Sequence, residues 1–514
     1  MAASSTVSAP ARREPAPPQY RLRRPEETVL HQIVRENLET FLERARDEER
    51  PVPRFVEREF RAFLECGILA HGFLRVHCDH CGHDRLVAFS CKGRGFCPSC
   101  GGRRMADTAA RLVESILPRV PVRQWVLTLP FSLRYRLAFD AGLTRAVLNI
   151  FVRALFVSLR RRARKRRPLT NPQSGAVTFI QRYGDALNLN VHFHALVLDG
   201  VYDGDPGGQV KFLPLPPPEV RDVEWIARRI SRGVMRLLIR RGLGPEADLS
   251  MADSLPSEDP LLAALYGASV HSRIATGPRA GQRVLRFGDP MDVEDHELSS
   301  RQRCVTVGGL SVHGEVGVPA RDRRRLQRLC RYTGRPPVAT QRLSRLGDGR
   351  LVYRLKRRWR DGTTHVIFEP LELLEKLAAL VPPPRIHQVR YHGILGPAAR
   401  ERRFILPASG DPHPGKTGLP ADAPTQEGSS APKKAASRPN LPWAELIRRV
   451  FAVDVLECPR CGGRKRILAA IQTPGAIRAI LEHLSLPSRA PPITPARRNQ
   501  EDPESEIFPE GPEL

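Results

Sequence analysis

Apolar positions recur at helical spacing from Glu26 to about Glu48, where Val29, Ile33, Val34, Leu38, Phe41 and Leu42 share one face. A second short helix is expected from Phe55 to Cys66, stopped by Gly67. A stretch rich in Cys and His, 74–104, then interrupts the helical period, which resumes from Ala106 to Leu117. Gln124–Leu129 reads as a buried strand ended by Pro130, and 141–159 as an apolar-striped helix running into the basic run 160–167. Two strands follow, Ala176–Arg182 and Leu187–Leu198, with a turn at Tyr183–Asp185. Residues 204–218, rich in Gly and Pro, predict a loop, and helices are expected around 219–241 and 258–267. Cys304–Val318 alternates as one strand would, and 320–333 predicts a basic helix. Strands at 351–357 and 364–368 and a helix at 370–380 complete the pattern.

This pattern divides the chain. Residues 1–25 are expected to form a disordered arm, 26–120 a helical, Cys-rich domain, and 121–405 a larger α+β domain. The segment 406–440 has the Pro, Ala and Ser content of a linker. A small segment at 441–490 carries one Cys pair, and 491–514 is an acidic, disordered tail. Across 514 residues, 82 Lys and Arg stand against 55 Asp and Glu, a net charge of +27. A field of that sign attracts polyanions, nucleic acid foremost, although a GC-rich genome would also raise the Arg content. No uninterrupted apolar run reaches the ~18–20 residues of a bilayer span, and the N-terminus lacks the core of a signal peptide. A cytoplasmic, nucleoid-associated bacterial protein without a membrane partner is the expectation.

Six of the ten cysteines fall in CxxC pairs. Cys78-Asp-His-Cys81 and Cys97-Pro-Ser-Cys100 are each followed by glycine, at a spacing that suits a closed, structural Zn2+ site. The expected ligands are Cys78, Cys81, Cys97 and Cys100, with Cys91, His77, His80 and His83 close by as alternatives. Arg103 and Arg104, beside Lys92 and Arg94, would offer cations to DNA phosphates. The third pair, Cys458 and Cys461, is half of a possible second zinc site. It needs a distant ligand such as His483 or a second subunit; otherwise it is a turn with free thiols.

The sharpest signal is Asn190-Val-His-Phe-His-Ala-Leu-Val. Strand residues two apart face the same way, so His192 and His194 project together. Paired imidazoles on a buried strand suit a divalent ion, Mg2+ or Mn2+, that polarises a phosphate oxygen. His313 is the preferred third ligand, with Glu315 or Gln181 as alternatives. In the basic helix, Tyr332 lies roughly 60° beyond Leu329, at the edge of the apolar stripe, where it would look into a cleft. Arg328, Arg331 and Arg335 surround it. A tyrosine that attacks phosphate stores the bond as a phosphodiester.

These residues resemble a family. FSCKGRGFCPSC with GGRRMA, NLNVHFHALVLDGVY, GGLSVHGEV, LCRYTGRPP, RWRDGTTH and VLECPRCGG occur in one order and look like the IS91-type transposases of insertion sequences. These are HUH (His-hydrophobe-His) rolling-circle enzymes. The resemblance runs from about Leu74 to Arg402 and implies a ferredoxin-like HUH nuclease core, an antiparallel sheet with helices, preceded by a helical, zinc-ribbon-like domain. It further implies that Tyr332 attacks single-stranded DNA at element ends and target, forming a 5′-phosphotyrosine and freeing a 3′-OH. His192, His194 and His313 would hold the catalytic metal. Founding members carry Y-x-x-x-Y, whereas the earlier position here is Arg328. The chain therefore resembles a single-tyrosine branch, unless Tyr353 or Tyr391 supplies a second nucleophile. The competing readings are a non-catalytic zinc-dependent DNA-binding protein and a plasmid relaxase or replication initiator.

Overall fold

The computed structural model describes residues 23–205, 209–244, 255–288, 303–406, 444, 448 and 454–497. The linker expected at 406–440, the arm before 23 and the acidic tail after 497 lie almost entirely outside the described residues. The fold is α+β with antiparallel sheets, and it divides into two compact units.

The larger unit holds Arg24–Ile68 and Ser90–Glu427 among its segments. At its centre is an antiparallel sheet in the order Val389–Gly393, Gly175–Tyr183, Leu189–Leu198, Val122–Thr128, Leu310–His313, Cys304–Val307. Gly317–Val318 also pairs with Val122–Thr128. The two-residue period of the strands separates two cores. On one face Val191, Phe193, Ala195 and Val197 pack with Leu143, Val147 and Phe151 of the long helix Ala141–Arg164. On the other face Leu196, Leu198, Val177 and Phe179 pack with Leu326, Leu329 and Cys330 of the helix Arg323–Thr333. Each such buried side chain contributes on the order of 1.5–3 kcal/mol, so the register of the central strand is firmly specified.

Helix Ala141–Arg164 is the one described helix long and apolar enough to cross a membrane, but its apolar side is buried in the first core. Asp140 caps its start by accepting from Leu143 N at 2.7 Å. A further helix, Pro98–Arg111, continues through a π turn at Leu112–Ile116 and lines the second core. It begins eight residues before the expected Ala106, because Pro98 sits in its first turn, where proline's missing N–H leaves nothing unpaired.

Two expectations change. Cys304–Val318 is not one strand: Gly308 (φ 57°) and Gly309 (φ 74°) turn it into a hairpin. Within the expected loop 204–218, Val210–Pro214 instead returns alongside Gly200–Gly204.

The smaller unit joins parts remote in sequence. Arg466–Ile471 lies antiparallel to Phe73–His77, which pairs in turn with Asp84–Ala88. Helix Pro474–His483 closes over this sheet through Ile477 and Leu481, which meet Leu69, Phe73 and Leu86. The C-terminal Cys segment is thus the third strand of the unit that begins near Leu69, not a free-standing appendage.

One buried ion pair ties the large sheet together. Arg123 donates to Asp199 Oδ2 from Nη2 at 2.7 Å and from Nε at 3.0 Å, and to the carbonyls of Gly314 and Glu315 at 3.1 Å. Removing one partner leaves the other charge buried and unpaired. Asp199→Ala should therefore lower the unfolding free energy by about 3–5 kcal/mol in urea titration; an unchanged midpoint would show the pair to be dispensable.

Candidate active site and metal centres

The parity of the central strand aims His192 and His194 at the face that carries helix Arg323–Thr333. Their rings lie 5.0 Å apart, centroid to centroid. The Tyr332 ring stands 6.1 Å from that of His194, at an interplanar angle of 84°. The helix is held against the sheet by Leu326, Leu329 and Cys330. Its end is tied down by Gln181, which flanks His192 in register and donates to the Thr333 carbonyl at 2.6 Å. At the other end Arg323 donates to the carbonyls of Pro118 at 3.2 Å and Leu117 at 3.0 Å.

Both imidazoles are oriented by their Nδ1 atoms. His192 Nδ1 donates to the Asn190 carbonyl at 2.8 Å, which leaves Nε2 with its lone pair. His194 Nδ1 lies 2.7 Å from Gln124 Nε2, which donates to it as the amide is placed. Only with the amide's oxygen and nitrogen exchanged would Nδ1 carry the proton, giving His194 the same tautomer. Burial, reinforced by Arg335 and Arg134, holds the His192 pKa down at about 4. That of His194 is pushed well below its ordinary value by burial and by His192. Both rings are therefore neutral at neutral pH, the form in which imidazole binds metal.

His313 projects from the same face, but it is two strands away. It pairs with Val126, which pairs with His194, so Val126 stands between the two histidines. No cluster of three metal-binding side chains forms around His192 and His194 among the described residues. His313 Nε2 instead lies 3.5 Å from Glu315.

Tyr332 is 40% exposed, and two cations flank its ring. Arg335 lies 4.8 Å and Lys356 4.6 Å from the ring centroid. Arg328, one turn earlier, is exposed, and Arg331 is half-buried. The two other tyrosines are placed differently. Tyr353 is 0% exposed and its hydroxyl accepts from Ala339 N at 3.3 Å, whereas Tyr391 lies on the edge strand with its ring 6.0 Å from Arg402.

The cysteines sort into two tetrads, and the expected set Cys78, Cys81, Cys97 and Cys100 is not one of them. Cys97 and Cys100 come together with Cys66 and Cys91, all four sulfurs lying within 4.8 Å of one another. The sulfurs of Cys66 stand 3.7 Å from those of Cys97 and Cys100, and Cys91 Sγ is 3.3 Å from Cys100 Sγ. A tetrahedron of zinc–sulfur bonds places its sulfurs about 3.8 Å apart. Cys78 and Cys81 instead face Cys458 and Cys461 within the smaller unit. His483 belongs to neither tetrad, and His77 is engaged with Asp84 at 2.7 Å.

The physical reason lies in the backbone. Gly82 takes φ 69° and lets the Cys78–Cys81 segment form a tight knuckle. Gly101 does not turn at all. It is helical, and a Cβ there would come within 2.6 Å of Pro336 Cβ. Glycine at 101 therefore lets the zinc-side helix press against the Gly-Arg-Pro-Pro segment that follows Tyr332. The same logic explains CKGRG: a Cβ on Gly93 would lie 2.6 Å from a Glu59 carboxylate oxygen, which accepts from Gly95 N at 2.7 Å. Arg103 reaches Cys100 Sγ at 3.5 Å, and Arg104 donates to the carbonyls of Gly93 and Lys92, both at 3.0 Å.

Residues 33–129 match the family model described as "Transposase zinc-binding domain", and residues 175–237 and 272–403 match the one described as "Putative transposase". Both descriptions are of transposases, which are DNA-processing enzymes. The matched stretches together span more than half of the chain, which belongs to the IS91-type transposase family. No curated protein and no solved structure matches it. DNA is accordingly its partner, and the match supports structural zinc; the first tetrad, whose four cysteines all fall inside the matched zinc-binding region, has the arrangement to hold it.

Cys66 had looked like an ordinary helix-end residue, yet it completes that tetrad. Structural zinc supplies on the order of 10 kcal/mol to folding. Cys66→Ser should lose the zinc of this site, measured as metal content per chain, and soften the domain to proteolysis. Undiminished zinc would contradict the ligand assignment.

Proposed function

We propose that this transposase is an HUH rolling-circle enzyme that cuts single-stranded DNA through a phosphotyrosine intermediate. The observation that carries the reading is the placement of the exposed Tyr332 beside His194, on the sheet face where both histidines project. The antiparallel sheet, with helices on either face, supports a ferredoxin-like HUH core for 121–405.

His192 and His194 fit a divalent ion, because both rings are neutral, His192 Nδ1 donates to Asn190 and leaves Nε2 free, and an exchange of the Gln124 amide oxygen and nitrogen gives His194 the same tautomer. Mg2+ or Mn2+ held by His192 and His194 would polarise a non-bridging phosphate oxygen; His313 would be its third ligand only on turning from Glu315 toward them. The Tyr332 hydroxyl gives up its proton and its oxygen forms a bond to phosphorus. The bond from phosphorus to the 3′ oxygen breaks, and that oxygen takes a proton to become a free 3′-OH. The phosphodiester on Tyr332 keeps the bond energy for strand transfer, in which a 3′-OH on the target displaces the tyrosine. Arg335 and Lys356 lie over the ring and hold the phenol in place by cation–π contact. Arg328 and Arg331, with Arg103 and Arg104 on the zinc side, hold flanking phosphates. With Arg328 at the position where a second tyrosine would sit, and Tyr353 buried, one tyrosine serves the reaction.

Incubation with single-stranded oligonucleotides carrying the element's ends and Mn2+ should give a covalent protein–DNA adduct. Tyr332→Phe should abolish it while leaving DNA binding intact; an adduct that persists would remove Tyr332 from the mechanism. Gln124 orients His194 without touching DNA. Gln124→Ala should weaken Mn2+ binding roughly 10–100-fold, read by electron paramagnetic resonance titration, and the adduct should return at high Mn2+. Unaltered Mn2+ affinity would separate Gln124 from the metal site.

A further inference from the structure

We propose that Cys78, Cys81, Cys458 and Cys461 hold a second structural zinc ion, with Lys465 as its counter-charge, that clasps the C-terminal segment onto Phe73–His77 and Asp84–Ala88. Both matched regions stop short of Cys458 and Cys461. The four sulfurs lie within 4.8 Å of one another, with Cys78 to Cys461 at 3.6 Å and Cys81 to Cys458 at 3.5 Å. These separations suit the edges of a zinc–thiolate tetrahedron and far exceed the roughly 2.05 Å of a disulfide.

The two knuckles are built alike, although Cys78 and Cys461 stand 383 residues apart. Cys78 N donates to the His83 carbonyl at 3.1 Å, and Cys458 N to the Gly463 carbonyl at 2.9 Å. Gly82 N and Gly462 N each donate to the carbonyl of the first cysteine at 2.9 Å. The glycines have φ of 69° and 67°. Each knuckle caps the same end of the three-stranded sheet, where His77 is in register with Arg466. Paired CxxCG knuckles on a three-stranded antiparallel sheet are a ribbon whose two halves are supplied by opposite ends of the chain.

Lys465 is the independent sign that the tetrad is charged. It is 4% exposed, and its buried Nζ has no hydrogen-bond partner among the described residues. A buried ammonium with nothing to answer it is costly. Besides the cation Arg85, the groups that act on it are Cys458, Cys78 and Cys81 of the tetrad. Four neutral thiols would leave Lys465 uncompensated, whereas Zn2+ with four thiolates carries a net charge of −2 and gives it a partner. Lys465 thus acts through the zinc cluster as a positioning charge, without binding the ion itself.

The test uses the full chain, purified with its zinc, and measures zinc per chain together with its release to a chromogenic chelator. Wild type should carry two zinc ions, and the double variant Cys458→Ser, Cys461→Ser should carry one. Retention of both ions would overturn the proposal, and so would loss of both, since the sites would then not be separate. Lys465→Met should keep both ions but release one of them roughly 10–100-fold faster. Release kinetics identical to wild type would remove Lys465 from the site. Combining Lys465→Met with Cys66→Ser leaves only the second site, so the fast phase should then account for all the zinc; a slow phase there would assign the effect to the wrong tetrad.

Discussion

The active face depends on one constraint, the two-residue period of Leu189–Leu198 between two filled cores. Val191, Phe193, Ala195 and Val197 must face helix Ala141–Arg164, because they form the first core with it. Their neighbours His192 and His194 then face the tyrosine helix, with no freedom to do otherwise. A slip of one residue would bury both imidazoles among aliphatic side chains and turn Phe193 toward Tyr332. Everything else at the site adjusts a geometry that this alternation has already set. Asn190 and Gln124 fix the rings, Gln181 holds the end of the helix, and Arg335 and Lys356 bracket the phenol.

Zinc enters the same argument through packing. The first tetrad fixes the start of helix Pro98–Arg111, which lines the second core alongside the tyrosine helix. Gly101 brings that helix close to Pro336, and a Cβ on Gly334 would lie 3.7 Å from Met105 Cα. The first tetrad and Tyr332 are therefore linked through two helices in contact. The smaller unit, by contrast, has a core of only a few apolar side chains. Units of that size need a metal or another cross-link to remain folded.

Much of this was legible in the sequence because it is local. The helices near 29–47, 54–65, 220–240 and 370–380 follow their apolar period, and the His pair and the tyrosine helix follow theirs. The pairing of the cysteines was not legible, since spacing identifies a knuckle but not its partner. Cys66 ends a helix with no CxxC signature, and Cys458 is drawn to Cys81 by a strand pairing across hundreds of residues. The hairpin at Gly308–Gly309 was hidden for a different reason. Alternation continues through a tight turn, so a strand and a hairpin read alike until the glycines' positive φ is seen. Lys356 and Gln124 reach the site from elements with no motif of their own, one by lying over Tyr332 and the other by register beside His194.

Tyr332 would be the nucleophile that the sheet face presents to DNA. Mass spectrometry of nuclease-trimmed, protease-digested protein after reaction with a single-stranded end tests this directly. The account predicts a nucleotide linked through its 5′ phosphate to the peptide containing Tyr332. A nucleotide on a peptide containing Tyr353 or Tyr391, or a cut strand with no nucleotide on any tyrosine, would contradict it.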